Sequence, residues 1–170
     1  MRRRISLALS LVLAAAACGG SSDSGSTDPN NTNTQTPTAT NGVFTAVING
    51  ATWNAVGTVS VSRGSNNFIG ISGTGFTTGT NGYSFVIGIG NASGPGTYSL
   101  SFGNVAGSEL IVGALTGGWG TYFNGGTGSL TITTLSTNHI AGTFTADPVP
   151  GSGGATGTLQ IRNGRFDLTF

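Results

Sequence analysis

The chain has 170 residues, of which only 6% are charged, against about 25% in an average soluble protein. It carries six cationic side chains, all arginine, with one histidine, one cysteine and no lysine. This excludes Schiff-base chemistry, a P-loop lysine, a histidine-rich zinc site and a disulfide, and no Asp-x-Asp-x-Asn-Gly run marks a calcium loop, so neither a metal nor a cofactor is expected. The basic footprint of a nucleic-acid partner is absent as well.

The N-terminal segment reads Met1-Arg2-Arg3-Arg4, an apolar run from Ile5 to Leu13, a small-residue stretch, and then Cys18, Gly19 and Gly20. Residues 1–17 thus show the three parts of a secretory signal. The apolar run is too short for a bilayer, which needs roughly 20 such residues. Cys18 at the processing point resembles the lipobox of bacterial lipoproteins, in which the thiol receives a diacylglycerol and becomes the mature N-terminus. An exported thiol with no partner is a liability that acylation removes. The pattern departs from the usual lipobox in carrying Ala15 where Leu is common. The resemblance implies a stable anchor at Cys18, and Gly19 in place of Asp implies sorting to the outer membrane in a cell with two membranes. Without residues 1–17, three arginines (Arg63, Arg162, Arg165) face five acids (Asp23, Asp28, Glu109, Asp147, Asp167), a net charge of about −2.

Residues 18–42 begin with Cys18 and continue almost wholly in Gly, Ser, Thr, Asn, Asp, Pro and Gln. Such a stretch cannot bury enough surface to offset its ordering entropy, and it is expected to be a disordered polar tether spanning about 25 Å.

From Val43 to the end, residues 43–170 are of a common single-domain size. Apolar residues nowhere recur at helical spacing for three turns; short β-branched and aromatic runs alternate instead with polar residues and glycine. Tyr83, Phe85, Ile87 and Ile89 share one face of a strand. The same alternation places Tyr98, Leu100 and Phe102 together, then Leu130 with Ile132 between threonines, Ile140 with Phe144, Leu159 with Ile161, and Phe166 with Leu168 and Phe170. Antiparallel sheets with one face on a core show this period of two.

About ten strands are expected, at 43–48, 51–62, 67–76, 82–90, 96–102, 108–116, 119–124, 128–135, 138–146 and 155–162, with a short last one at 165–170. The fold class that follows is all-β, an antiparallel sandwich or a flattened barrel. Asn-Gly pairs at 49–50 and 163–164 lie between strand-like runs and predict hairpin turns. Residues 147–154, with two prolines and no periodicity, predict an exposed loop. Glycines inside strands, at Gly70, Gly73, Gly75, Gly88 and Gly113, predict bulges and sharp coiling, or a close approach of a ligand to the backbone.

The domain opens with Phe44-Thr45-Ala46-Val47-Ile48-Asn49-Gly50-Ala51-Thr52-Trp53 and closes with Ile140-Ala141-Gly142-Thr143-Phe144 and Asn163-Gly164-Arg165-Phe166. This resembles a family of exported bacterial lipoproteins catalogued as a domain of unknown function, which opens with a strand, an Asn-Gly or Asp-Gly turn and a Trp. The resemblance implies a signal, a lipidated cysteine and a β-rich domain. Its motifs specify turns and core aromatics, so it carries over no catalytic or binding residue.

For catalysis the domain offers Glu109, Asp147, Asp167 and His139. A glycosidase needs two carboxylates facing each other across about 5 to 10 Å, and here each acid has a bland explanation: a solvated strand position for Asp167, a turn-initiating place before Pro148 for Asp147, a strand start for Glu109. No catalytic residue is assigned and no enzyme is expected. The best recognition candidates are Trp119 and Tyr122, flanked by glycines in residues 117–126, whose rings would stack on a glycan or on an envelope protein. Against that, Trp119, Thr121 and Phe123 share a face in an extended strand, and a core edge explains two aromatics equally well. The expected function is a lipid-anchored cell-envelope β-domain, structural or binding, held to the membrane through its anchor. The competing expectations are an envelope hydrolase acting on glycans and a lipocalin-like carrier of an apolar ligand.

Overall fold

The computed structural model describes residues 38–39, 41–79, 81–104 and 106–170. The signal over 1–17, the candidate anchor Cys18 and the expected tether up to residue 37 lie outside the described residues. Strand structure begins before the expected boundary at residue 43, with β1 at Thr38–Ala39 and β2 at Asn41–Ile48. There follow β3 (Ala51–Ala55), β4 (Val59–Arg63), a short 3-10 turn at Ser65–Asn67, β5 (Ile69–Thr77), β6 (Gly82–Ile89) and β7 (Gly96–Ser99). The remainder are β8 (Glu109–Ala114), β9 (Gly117–Gly120), β10 (Thr127–Leu135), β11 (His139–Asp147), β12 (Val149–Gly153) and β13 (Ile161–Thr169). The fold is all-β, as the alternation requires.

All thirteen strands belong to one antiparallel sheet, in the order β12-β9-β8-β6-β5-β3-β2-β13-β11-β10-β7, with β4 joined to β5 and β1 to β4 off that path. The sheet curls into a half-barrel. Ring distances measure the curl. Phe85 on β6 and Phe144 on β11 are five strand steps apart, roughly 24 Å across a flat sheet at ordinary strand spacing. Their ring centroids are 6.2 Å apart. Phe44 on β2 lies between them, 5.9 Å from each, and Trp53 on β3 completes the cluster, 4.5 Å from Phe85 and 5.3 Å from Phe44. Phe166 extends it from Phe144 at 6.5 Å. Aliphatic side chains of the same inner face surround these rings, among them Ile71, Ile87, Leu110, Leu130, Ile140 and Leu168, all fully buried.

One hairpin serves both ends of the strand path. Residues 117–153 run through β9, β10, β11 and β12; Thr127 pairs with Asp147 in its inner half, and Gly120 pairs with Val149 in its outer half. The six residues 121–126 on one arm face the single Pro148 on the other, so the ribbon bends sharply there. Bends of this kind carry strands round the corners of β-layers.

Four local expectations are corrected. Asn163-Gly164 is not a hairpin turn: it lies inside β13, where the pairing with both neighbours shifts register, and Asn163 has φ 51. This is a bulge, so residues 155–160 carry no strand and the two predicted C-terminal strands merge into one. Residues 147–154 are not a plain loop, because Val149–Gly153 pairs with β9. β12 ends the strand path, where a proline that cannot donate is tolerated, and Pro150 sits beside a register shift. The predicted strand 51–62 breaks at Val56-Gly57-Thr58 into β3 and β4, both lying along β5. The predicted strand 119–124 stops at Gly120.

Asn49-Gly50 is the hairpin turn the sequence predicts. Ile48 pairs with Ala51, and both turn residues have positive φ, 49 and 85, as the tight primed turns demand. The strand glycines are chiefly seats for aromatic rings. Phe144 stands directly opposite Gly164, and Phe166 directly opposite Gly142. A Cβ at Gly164 would lie 2.6 Å from the Phe144 ring, and one at Gly73 would lie 3.0 Å from Phe44.

Gly164→Ala should therefore cost about 1–3 kcal/mol through overpacking, and Phe144→Leu in the same chain should recover part of that loss. Urea unfolding of the two single variants and the double variant measures it. Strictly additive losses would show that ring and glycine are not coupled.

Candidate functional site

The two recognition candidates in residues 117–126 do not act together. Trp119 pairs with Val112 and points inward, only 6% exposed, and its indole Nε1 donates to the Gly157 carbonyl at 2.9 Å. It is a core residue, which corrects its candidacy as a stacking platform. Thr121 then ends the strand: its backbone N–H donates to the Leu110 carbonyl, and its buried Oγ1 accepts the Leu110 N–H, both at 2.9 Å. Past that tie the chain turns outward. Tyr122 remains 36% exposed, with its ring stacked on Phe123 at 3.9 Å between centroids.

The acidic side chains of the described strands lie on the outer face, and two of the three are paired with cations. Asp147 accepts from Arg162 Nη2 at 2.8 Å, while Arg162 Nη1 also donates to the carbonyls of Ala146 and Ile161. Asp167 meets His139 Nε2 at 2.9 Å and Arg165 Nη2 at 3.3 Å. Asp167 pairs with Ala141 on β11, six residues from Asp147, which separates the two acids by roughly 20 Å along an extended strand. That exceeds the span of a glycosidase pair. Glu109 stands on β8, and its carboxylate meets no cation among the described residues. No group of three or more His, Cys, Asp or Glu side chains that could hold a metal occurs among the described residues.

The outer face of β7, β10 and β11 carries a hydroxyl array, with Arg165 of β13 beside it. Thr97 pairs with Thr131, Thr131 with Thr143, and Thr143 with Arg165. One step along, Ser99 pairs with Ser129 and Ser129 with Thr145. Thr97 and Thr131 share a hydrogen bond of 3.1 Å between their Oγ1 atoms. Residues of this array, with Asn163 and Arg165, border a shallow depression of about 480 Å³. A smaller one, of about 260 Å³, lies over Ser72, Thr74, Ser84 and Val86. The array was present in the sequence as the polar positions between Leu130, Ile132 and Phe144, but alternation alone assigns such residues only to solvent. Strand order is what sets them side by side. No family model, curated protein or solved structure matches the chain.

Two carboxylates carry opposite pH signatures. The His139 hydrogen bond holds Asp167 below the usual aspartate range, with Arg165 adding to it. A lowered folded value gives stability that is present above the unfolded value and lost as pH falls through the folded one. Burial pushes Glu109 above its ordinary range, so its ionisation in the folded state opposes folding, and stability falls as pH rises from the unfolded value through the raised one. Urea midpoints across the acid range should show that Asp167→Asn flattens the acid loss. Glu109→Gln should be at least as stable as the parent at neutral pH, and a lower midpoint there would contradict the assignment.

Proposed function

We propose that this protein is a lipid-anchored β-domain of the cell envelope, without catalytic activity, that binds a neutral polyhydroxylated partner such as an envelope glycan. The observation that carries the binding part is the hydroxyl array centred on Thr131 and Thr143, in register across three strands and bordered by Arg165 and Asn163 of β13. Serine and threonine hydroxyls both donate and accept, which suits a ligand made of hydroxyls better than one carrying charge. The low content of charged residues points the same way.

The anchoring part rests on the segment from Met1 to Gly20 and its resemblance to a lipoprotein signal, with Cys18 as the acylated residue. In this reading the protein belongs with exported lipoproteins of the envelope, on the outer membrane where two membranes exist. Two further observations weigh against the alternatives. A hydrolase is disfavoured by the separation of Asp147 from Asp167 and by their arginine and histidine partners. An apolar carrier is disfavoured by an interior filled with aromatic and aliphatic side chains, because a carrier needs an open barrel.

In the producing cell, Cys18→Ser should abolish metabolic labelling by a fatty acid and leave an unprocessed precursor; unchanged labelling would remove the anchor from this reading. For the binding surface, a glycan screen of the full chain should give hits that weaken at least tenfold in a Thr131→Val, Thr143→Val double variant. Hits indifferent to both substitutions would place recognition elsewhere.

A further inference from the structure

A second outward site, separate from the hydroxyl array, is built around Glu109. Among the described residues Glu109 is the one carboxylate without a cationic partner, because Asp147 and Asp167 take Arg162, Arg165 and His139. Arg63 is committed as well: its Nη2 donates to the Ser136 carbonyl, and its guanidinium lies over the Phe170 ring at 5.2 Å. With no lysine in the chain, the described domain has no cation left to meet Glu109. Glu109 is only partly buried, so its carboxylate stays in reach of solvent and of a cationic ligand.

On either side of Glu109 an aromatic ring from outside the neighbouring strand lies over a glycine of that strand. On one side Glu109 pairs with Gly88 of β6. The Phe68 ring lies over that glycine, with its Cζ 3.2 Å from where a Cβ would stand, and the Glu109 Cγ is 3.5 Å from the same point. On the other side Ile111 pairs with Gly120 of β9, and the Tyr122 ring folds back over that glycine, 2.5 Å from where its Cβ would stand. Tyr122 is near enough to Glu109 for the carboxylate to push its phenol upward, although burial contributes more. Both rings are partly open to solvent, Phe68 at 40% and Tyr122 at 36%.

A carboxylate flanked by two partly exposed rings is complementary to an alkylammonium group: the charge meets the anion and the methyl or methylene groups meet the rings. We propose that Glu109, Phe68 and Tyr122 form a binding site for an alkylammonium head group. Gly88 and Gly120 are part of the device, because a side chain at either would displace a ring. The site does not depend on the glycan reading, and the two can fail separately.

Choline chloride titrated into the full chain, followed by the aromatic NMR resonances of Tyr122 and Phe68 and compared with sodium chloride at equal ionic strength, tests it. The expected result is a saturable shift with choline alone. Glu109→Gln should weaken binding at least tenfold, and Phe68→Leu, which keeps an apolar side chain but removes the ring face, should weaken it severalfold. Tyr122→Phe, which keeps the ring, should bind as the parent does. Absence of saturation, the same response to sodium chloride, or unchanged binding in Glu109→Gln would overturn the proposal. Circular dichroism of each variant separates loss of binding from loss of fold.

Discussion

The aromatic cluster of Phe44, Trp53, Phe85, Phe144 and Phe166 is the contact on which the rest of this structure depends. A sheet of antiparallel strands with one apolar face has no core until that face meets another apolar surface. Among the described residues that surface is the same sheet, which curls until β6 and β11 share rings at van der Waals range. Burying five large aromatics in edge-to-face and tilted contacts adds to the plain hydrophobic gain. The indole N–H of Trp53, which would otherwise be lost to water, donates to the Tyr83 carbonyl at 3.3 Å.

Curling demands that rings lie across neighbouring strands, and this explains a composition with 31 glycines. Gly73 makes room for Phe44, while Gly142 and Gly164 exchange places with Phe166 and Phe144 across one strand pair. Glycine in a strand weakens it by entropy and lost packing; beneath an aromatic ring that loss is offset by the contact the missing Cβ permits. The same device recurs on the outer face, where Phe68 lies over Gly88 and Tyr122 over Gly120. There the rings stay partly open to solvent and flank a carboxylate.

Most of the aromatics and aliphatics of the strands turn inward, and on the outer face Asp147 and Asp167 are paired with cations. What stands out there is the row of hydroxyls across β7, β10 and β11 and, among the described residues, the unpaired Glu109 on β8. The hydroxyl array and the Glu109 site lie on different parts of one sheet. A ligand at either would need no opening of the core.

Much of this was legible in the residues. Period-two alternation gave the all-β class and the inward faces of β6, β10 and β11, and Asn49-Gly50 gave its turn, because both signals act over a few neighbouring positions. The resemblance of the segment from Met1 to Cys18 to a lipoprotein signal is likewise a reading of the sequence alone. It could not distinguish the bulge at Asn163-Gly164 from a turn, since the same dipeptide suits both and only the pairing of β13 with β2 and β11 decides. Nor could it show Val149–Gly153 as a strand, because Pro150 argues against one until an edge position on β9 is known. Alternation sets Trp119 and Tyr122 on opposite faces of an extended strand but does not say which face is the core; the tie between Thr121 and Leu110 holds the Trp119 side inward and leaves Tyr122 out. The hydroxyl array and the grouping of Phe68, Glu109 and Tyr122 join residues distant in the chain, so they exist only through strand order and curl. Local chemistry thus determined what each segment could become, and closure of the sheet upon its own aromatic face decided which residues meet.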